Sequence, residues 1–176
     1  KATPFATSGA AKWAYSTGAS SLAPPGLEWG GAYYAVSNDR ALHAMNGAAA
    51  GGDWPRTSPD DWLPRSMDAP VQHQPPVVPL GATTYGYLAS QDGYAYAFDA
   101  RSGTRLWTSN DGTNPLQLGT MLQADPVGLF AYYGATDVNR LFVGTRNGSG
   151  ENLVHALDPA TGTVVYTYGV GQGIGI

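Results

Sequence analysis

Three histidines, His43, His73 and His155, carry the most obvious chemistry in this sequence. Imidazole is the commonest transition-metal ligand, and a metal centre would need three or four such donors brought to one point. Two other groupings offer oxygen. Asn110-Asp-Gly-Thr-Asn114 has the side chains of a calcium loop, and Asp60-Asp61 supplies the adjacent carboxylates from which a general acid and base could be made. Spacing undoes each of these. His43 and His155 occupy the same position of a repeated segment, which puts them on different copies, and His73, in Gln72-His-Gln-Pro-Pro76, has no second ligand at useful spacing. A calcium loop of the helix-loop-helix kind needs further carboxylates and a closing Glu. Neighbours such as Asp60 and Asp61 usually point apart, so they read as a solvated pair. There is no Cys, which removes disulfides, thiolate nucleophiles and iron–sulfur ligation. No Gly-x-Ser-x-Gly elbow occurs, and the Gly-rich stretch 169–175 lacks the Lys of a phosphate loop. The sequence therefore predicts no catalytic residue, no cofactor-binding residue, no metal ligand and no cofactor.

The elements that must position these side chains are written three times. Tyr34-Ala-Val-Ser-Asn-Asp-Arg-Ala-Leu-His-Ala-Met-Asn46 lines up without a gap on Tyr87-Leu-Ala-Ser-Gln-Asp-Gly-Tyr-Ala-Tyr-Ala-Phe-Asp99. Leu141-Phe-Val-Gly-Thr145 with Asn152-Leu-Val-His-Ala-Leu-Asp158 repeats the pattern around a short insertion. At one fixed interval past the closing Asn or Asp stands an aromatic: Trp54, Trp107 and Tyr166. Ser8-Gly-Ala-Ala-Lys-Trp13 matches Ser102-Gly-Thr-Arg-Leu-Trp107, so Trp13 reads as the end of a preceding copy. Self-similarity of this kind marks a supersecondary unit that cannot bury its apolar faces alone and must stack on its neighbours.

Composition sets the class of that unit. The chain has 176 residues with 24 Gly and 13 Pro, punctuating short runs rich in Tyr, Val, Leu and Ala. Gly and Pro cost about 1 and 3 kcal/mol relative to Ala inside a helix, so these runs read as strands. Only 12% of residues are charged and the formal net charge is −4, with no basic run. Nucleic acid, which is bound by clustered Lys and Arg, is therefore excluded as the expected partner. No apolar run approaches the ~20 residues of a membrane-spanning helix.

Within the second copy the pattern predicts strands over 75–81, 85–90, 94–99 and 105–109. Asp92-Gly93 supplies a hairpin turn, and Asp99-Ala-Arg-Ser-Gly103 and Asp158-Pro-Ala-Thr-Gly162 are turns in which the carboxylate accepts backbone N–H bonds and Gly closes the bend. The third strand is apolar at nearly every residue, as in a sheet covered on both faces. Small Ala44, Ala97 and Ala156 stand beside large Met45, Phe98 and Leu157, a pairing suited to close-packed layers. Four-stranded antiparallel units sandwiched between like units make a β-propeller. The expected fold is all-β, a partial β-propeller of about three blades plus a leading strand. Its expected divisions are a blade end at 1–18, blades at 19–58, 70–112 and 116–168, and the start of a further blade at 169–176. The structural repeat positions are Trp13, Trp54, Trp107, Tyr166, Asp99, Asp158, Gly103, Gly162, Ala44, Ala97 and Ala156. The Pro-rich stretch 53–79, with Trp54 and Trp62, reads as an extended connection over a blade edge. Tyr132-Tyr133, Tyr166 and Tyr168 read as packing aromatics, with carbohydrate stacking as the other use of such rings. An arc of three blades leaves a face open, so the remaining blades of the same polypeptide, or a partner protein completing the ring, are expected, and the chain reads as a truncated fragment.

Ala97-Phe-Asp-Ala-Arg-Ser-Gly-Thr-Arg-Leu-Trp107 and Ala156-Leu-Asp-Pro-Ala-Thr-Gly-Thr-Val-Val-Tyr166 resemble the Ala-x-Asp-x-x-Thr-Gly-x-x-x-Trp repeat of the pyrroloquinoline-quinone-like (quinoprotein-type) β-propellers. The resemblance runs from about Ser8 to Tyr168. The segment from Tyr33 to Asn46 looks most like the propellers of exported bacterial surface and pilus-tip adhesin proteins. What the resemblance implies is a periplasmic or extracellular protein, and a non-enzymatic interaction or assembly scaffold. It leaves open part of a quinone-dependent dehydrogenase, with catalytic residues outside this chain, or a glycan-binding surface propeller. Against the dehydrogenase stand the missing Cys pair and the unmatched calcium and catalytic Asp motifs of those enzymes; Asp99 and Asp158 fall in repeat turns instead.

Overall fold

The computed structural model describes residues 16, 18–20, 32–39, 41–46, 71, 73–91, 93–107, 116–119, 127–129, 139–146 and 152–171. Trp13, Trp54, Asp60, Asp61, Trp62, Asp92, Tyr132, Tyr133 and the stretch 110–114 lie outside them. Among the described residues all regular structure is strand. Strands β1 (Ala32–Val36) and β2 (Leu42–Asn46) pair antiparallel. Strands β3 (Val77–Leu80), β4 (Thr83–Ala89), β5 (Tyr94–Asp99) and β6 (Leu116–Gln117) form a second sheet in sequence order. Strands β7 (Val127–Leu129), β8 (Arg140–Arg146), β9 (Asn152–Leu157) and β10 (Val164–Gly171) form a third, also in sequence order. Each pairing is antiparallel, so the second and third sheets are four-stranded meanders, the blades that the repeat predicts.

Two details differ from the sequence pattern. The expected fourth strand over 105–109 is reduced, in its described part, to a single bridge between Arg105 and Phe98 and one further hydrogen bond from Leu106 N–H to the Ala97 carbonyl. Pairing along the outer edge of β5 resumes at β6, opposite Tyr94 and Ala95. The third copy is also shifted by one. Tyr34 pairs with Ala44 and Tyr87 with Ala97, but it is Phe142, not Leu141, that pairs with Ala156. A one-residue shift moves a side chain to the opposite face of its sheet. Leu141 accordingly packs with Tyr87 and Trp107 of the second blade, whereas Phe142 packs on Tyr166 of its own.

Alternation on β4 and β5 divides the second blade into two faces, and both are covered. Leu88, Tyr96 and Phe98 pack with Tyr34, Val36, Leu42 and Ala44 of the first blade. Tyr87, Ala89, Ala95 and Ala97 pack with Leu141, Val143 and Leu157 of the third. This double cover explains the unbroken apolar run of the third strand, where alternation would leave polar side chains without water. It also explains Gly86, which pairs directly with Phe98: a Cβ at Gly86 would fall inside the Phe98 ring.

The three histidines are absorbed by the scaffold. His155 on β9 bridges its neighbours, lying 3.0 Å from Thr167 Oγ1 on β10 and 3.4 Å from Thr145 Oγ1 on β8. Burial favours its uncharged form and lowers its pKa. Below the ordinary imidazole pKa of about 6.5 the unfolded chain then binds more protons than the folded one, so this contribution is complete above that value and is lost as pH falls through the lowered one. We expect the urea midpoint of the chain to drop on acidification from pH 7.5 to pH 5.5, and the drop to be smaller in His155→Asn; an identical drop in the two proteins would show that His155 is not its source.

Candidate functional site

Among the described repeat positions, Trp107, Asp158 and Gly162 meet at the seam between the second and third blades, and Asp99 and Gly103 build the turn that the first blade grips. The turn itself is built by its carboxylate. Asp99 Oδ1 accepts the N–H of Arg101 at 2.7 Å and of Ser102 at 3.4 Å, and Asp158 Oδ1 accepts those of Ala160 and Thr161, both at 2.9 Å. Gly103 and Gly162 close the two bends at φ 73° and 76°, a left-handed conformation that costs an L-residue with a Cβ. Gly103 N–H bonds back to the Asp99 carbonyl and Gly162 N–H to that of Asp158, both at 2.8 Å. The expected Asp92-Gly93 hairpin is represented by Gly93, at φ 91°.

The second residue of each turn presents its carbonyl to the blade before it. Tyr34 donates its hydroxyl to Ala100 O at 2.6 Å. One repeat later Tyr87 donates to Pro159 O at 3.1 Å, and Trp107 Nε1–H donates to the same oxygen at 3.2 Å. A carbonyl has two lone pairs, so Pro159 O can serve both donors. The Trp107 ring lies directly over Gly162, where a Cβ would come within 2.9 Å of Cδ2, and tilts against Tyr87 at 5.4 Å between centroids. The closing Gly therefore meets two needs, the positive φ and a flat seat for the indole.

Burial raises the Tyr34 hydroxyl to about 12, assisted by the charge of Asp99. Tyr87 is pushed up further, by burial first and then by Tyr85 and Asp158. A tyrosine whose folded pKa lies above its unfolded one contributes stability that is fully present below about pH 10 and lost as pH rises through the folded value. In Tyr34→Phe, which removes the hydroxyl donor to the Ala100 carbonyl, the alkaline fall in the urea midpoint should be shallower than in the parent and neutral-pH stability lower by about 1 kcal/mol. Parallel pH profiles for the two proteins would argue against this seam as the origin.

The other polar residues stitch a blade internally. Asp39 Oδ2 accepts from Gly18 N–H and from His43 Nε2, both at 2.9 Å, and Oδ1 accepts from Ala41 N–H at 2.9 Å. Burial alone would raise the Asp39 carboxyl, but these donors hold it below the ordinary carboxylate range. His73 is buried, with Nε2 accepting Ala89 N–H at 2.7 Å and Nδ1 3.0 Å from the Gln74 carbonyl. In the sequence His73 is an isolated loop residue and Asp39 carries no signal; the hydrogen bond from the Ala89 amide at the end of β4 is what ties His73 to the sheet. Among the described residues no cluster of three or more His, Cys, Asp or Glu could hold a metal ion.

Ala44, Ala97 and Ala156 are all buried, the first two at the seams and Ala156 on the face of the third blade that bears Phe142 and Tyr166. Tyr166 keeps the repeat position of Trp107 but not its burial: Trp107 is 2% exposed and Tyr166 51%. Val164, Val165 and Tyr168 beside it on β10 are 41%, 44% and 66% exposed.

A family profile described as outer membrane protein assembly factor BamB matches residues 91–175. No curated protein sequence matches the chain. BamB from Moraxella catarrhalis superposes on 89% of this chain and 39% of its own, at 18% identity and a TM-score of 0.56. The quinohemoprotein alcohol dehydrogenase ADHIIG from Pseudomonas putida HK5 does so over 89% of this chain and 22% of its own, at 19% identity and a TM-score of 0.58. The computationally designed Ika4 protein covers 93% of this chain and 81% of its own, at 12% identity and a TM-score of 0.53. The chain thus spans about two fifths of the BamB structure and a fifth of the dehydrogenase. The likeness to pilus-tip adhesin propellers finds no support here. With meander blades in sequence order and seams formed alike by successive repeats, this chain is an all-β partial β-propeller, and its residues 91–175 are similar to the family described as outer membrane protein assembly factor BamB.

Proposed function

We propose that this chain is a propeller segment of an exported bacterial protein, at home in the periplasm or at the cell surface, and that it serves as a rigid interaction or assembly scaffold. We propose blade limits at 18, 58 and 70, with the second blade reaching β6 at Leu116–Gln117 and the third running from β7 to Gly171, in place of the expected divisions at 112, 116 and 168. One observation carries the reading: among the described residues, the three histidines and the two repeat carboxylates are engaged in holding the fold. His43 is tied to Asp39, His73 to the Ala89 amide, His155 to two threonines, and Asp99 and Asp158 to the N–H groups of their own turns. The matched profile, described as an outer-membrane assembly factor, points the same way. No helix among the described residues is long and apolar enough to cross a membrane.

Incubation of the full chain with pyrroloquinoline quinone and Ca2+ should leave its thermal midpoint unchanged and give no dye reduction with alcohols or sugars. Saturable quinone binding that raises the midpoint would transfer the assignment to a dehydrogenase. A reproducible, competable signal on a glycan array would transfer it to a carbohydrate-binding propeller.

A further inference from the structure

The face of the third blade that is turned toward the second ends in a polar pair. Leu141, Val143 and Leu157 on that face pack with Tyr87 and Trp107. Cross-strand register sets His155 opposite both Val143 and Thr167, and Thr145 opposite Leu153, all on the same face. The imidazole is buried, whereas the Thr167 side chain on β10 is exposed. The two ring nitrogens have distinct roles. Thr145 Oγ1 gives its single proton to the Leu153 carbonyl at 3.4 Å, so its 3.4 Å contact with His155 Nε2 requires the proton on that nitrogen. Nδ1, 3.0 Å from Thr167 Oγ1, is then the bare nitrogen and accepts the hydroxyl proton of Thr167. The exposed hydroxyls of the two turns face one another and not a base: Ser102 Oγ lies against Thr104 Oγ1 and Thr161 Oγ1 against Thr163 Oγ1, both at 2.9 Å.

The surroundings of this hydroxyl leave room for a small acyl group. Two residues on, Gly169 stands on the same face without a side chain, and among the described residues a Cβ there would meet only Leu153 Cδ2, at 3.9 Å. On the other side Val164, which pairs with Leu157 on this face, is 41% exposed and offers an apolar shoulder. We infer that Thr167 is a covalent acceptor site for activated acyl esters, with its oxygen as the nucleophile and His155 Nδ1 as the base. A bond forms between Thr167 Oγ1 and the acyl carbon, and the bond from that carbon to the alcohol leaving group breaks. The hydroxyl proton passes to Nδ1 and from the imidazolium to the departing alkoxide or to water, so the step needs no oxidant or further reactant. Burial serves this role, because it keeps the ring uncharged, and so able to take a proton, at a pH below the ordinary imidazole value. The inference goes beyond the scaffold reading: a scaffold that accepts an acyl group on this edge strand gains a point of covalent attachment without a change of fold.

The test treats the full chain with p-nitrophenyl acetate, quenches in acid and maps acetyl esters by mass spectrometry. Thr167 should be acetylated at least about tenfold faster than Thr104, Thr161 or Thr163, a modest share of what general-base assistance supplies. Its rate should rise with pH through a value below about 6.5 and then level, since only the uncharged ring accepts the proton. Thr167→Ser should keep the fast acetylation, and His155→Asn should slow it at least about tenfold. Circular dichroism of His155→Asn separates loss of the base from loss of the fold; if that variant unfolds, the pH profile of the parent and the response of Thr167→Ser decide. Acetylation of Thr167 no faster than that of the turn threonines, an acetyl group found on His155 instead, or a rate that follows hydroxide alone between pH 5 and pH 8 would overturn the inference.

Discussion

Replacing Trp107 by Ala should destabilise the chain by about 3–5 kcal/mol, the usual cost of emptying a buried aromatic site. The indole is 2% exposed, covers Gly162, abuts Tyr87 and donates to Pro159 O. Its loss opens a void and breaks one of the two hydrogen bonds that Pro159 O accepts across the seam. Trp107→Phe keeps much of the ring but not the N–H and should cost about 1–2 kcal/mol, the price of a lost hydrogen bond plus imperfect fit. Urea unfolding followed by circular dichroism reads both values. If the Ala variant fell within 1 kcal/mol of the parent, the second and third blades would be held together by something other than this seam.

Gly86→Ala should cost about 3 kcal/mol, at the upper end of what overpacking does, because the added methyl must displace a Phe98 ring that is fully buried between the first and second blades. Phe98→Ala alone should cost about 3–5 kcal/mol through the cavity it leaves. The pair should be strongly non-additive, with Gly86→Ala close to neutral once Phe98 is gone, since residues in direct contact couple by up to about 3 kcal/mol. An additive double variant would mean that the strain at Gly86 comes from elsewhere.

Much of the architecture was legible because it is repeated. The alignment of Tyr34 with Tyr87 and of Asp99 with Asp158 marked the strands and turns before any geometry, and the continuous apolar run of 94–98 required cover on both faces of the sheet. The seams were less legible. Nothing in the order of residues says that Tyr87 and Trp107 share the Pro159 carbonyl, since the partners are 72 and 52 positions apart. The one-residue displacement of Phe142 was hidden because Leu141 and Phe142 are both apolar, and only strand register separates the faces they serve. His73 could not be placed at all, because its partner, the Ala89 amide, carries no side-chain signature.

Because, among the described residues, the Pro159 carbonyl is claimed from one side only, by the blade that precedes it, cohesion in this molecule is a nearest-neighbour affair, like that of dominoes leaning in a row. Loosening should start where a domino has nothing to lean on. In hydrogen exchange under native conditions the amides of β10 should exchange by local fraying, those of β5 only with global unfolding, and the ordering should follow blade position rather than strand length.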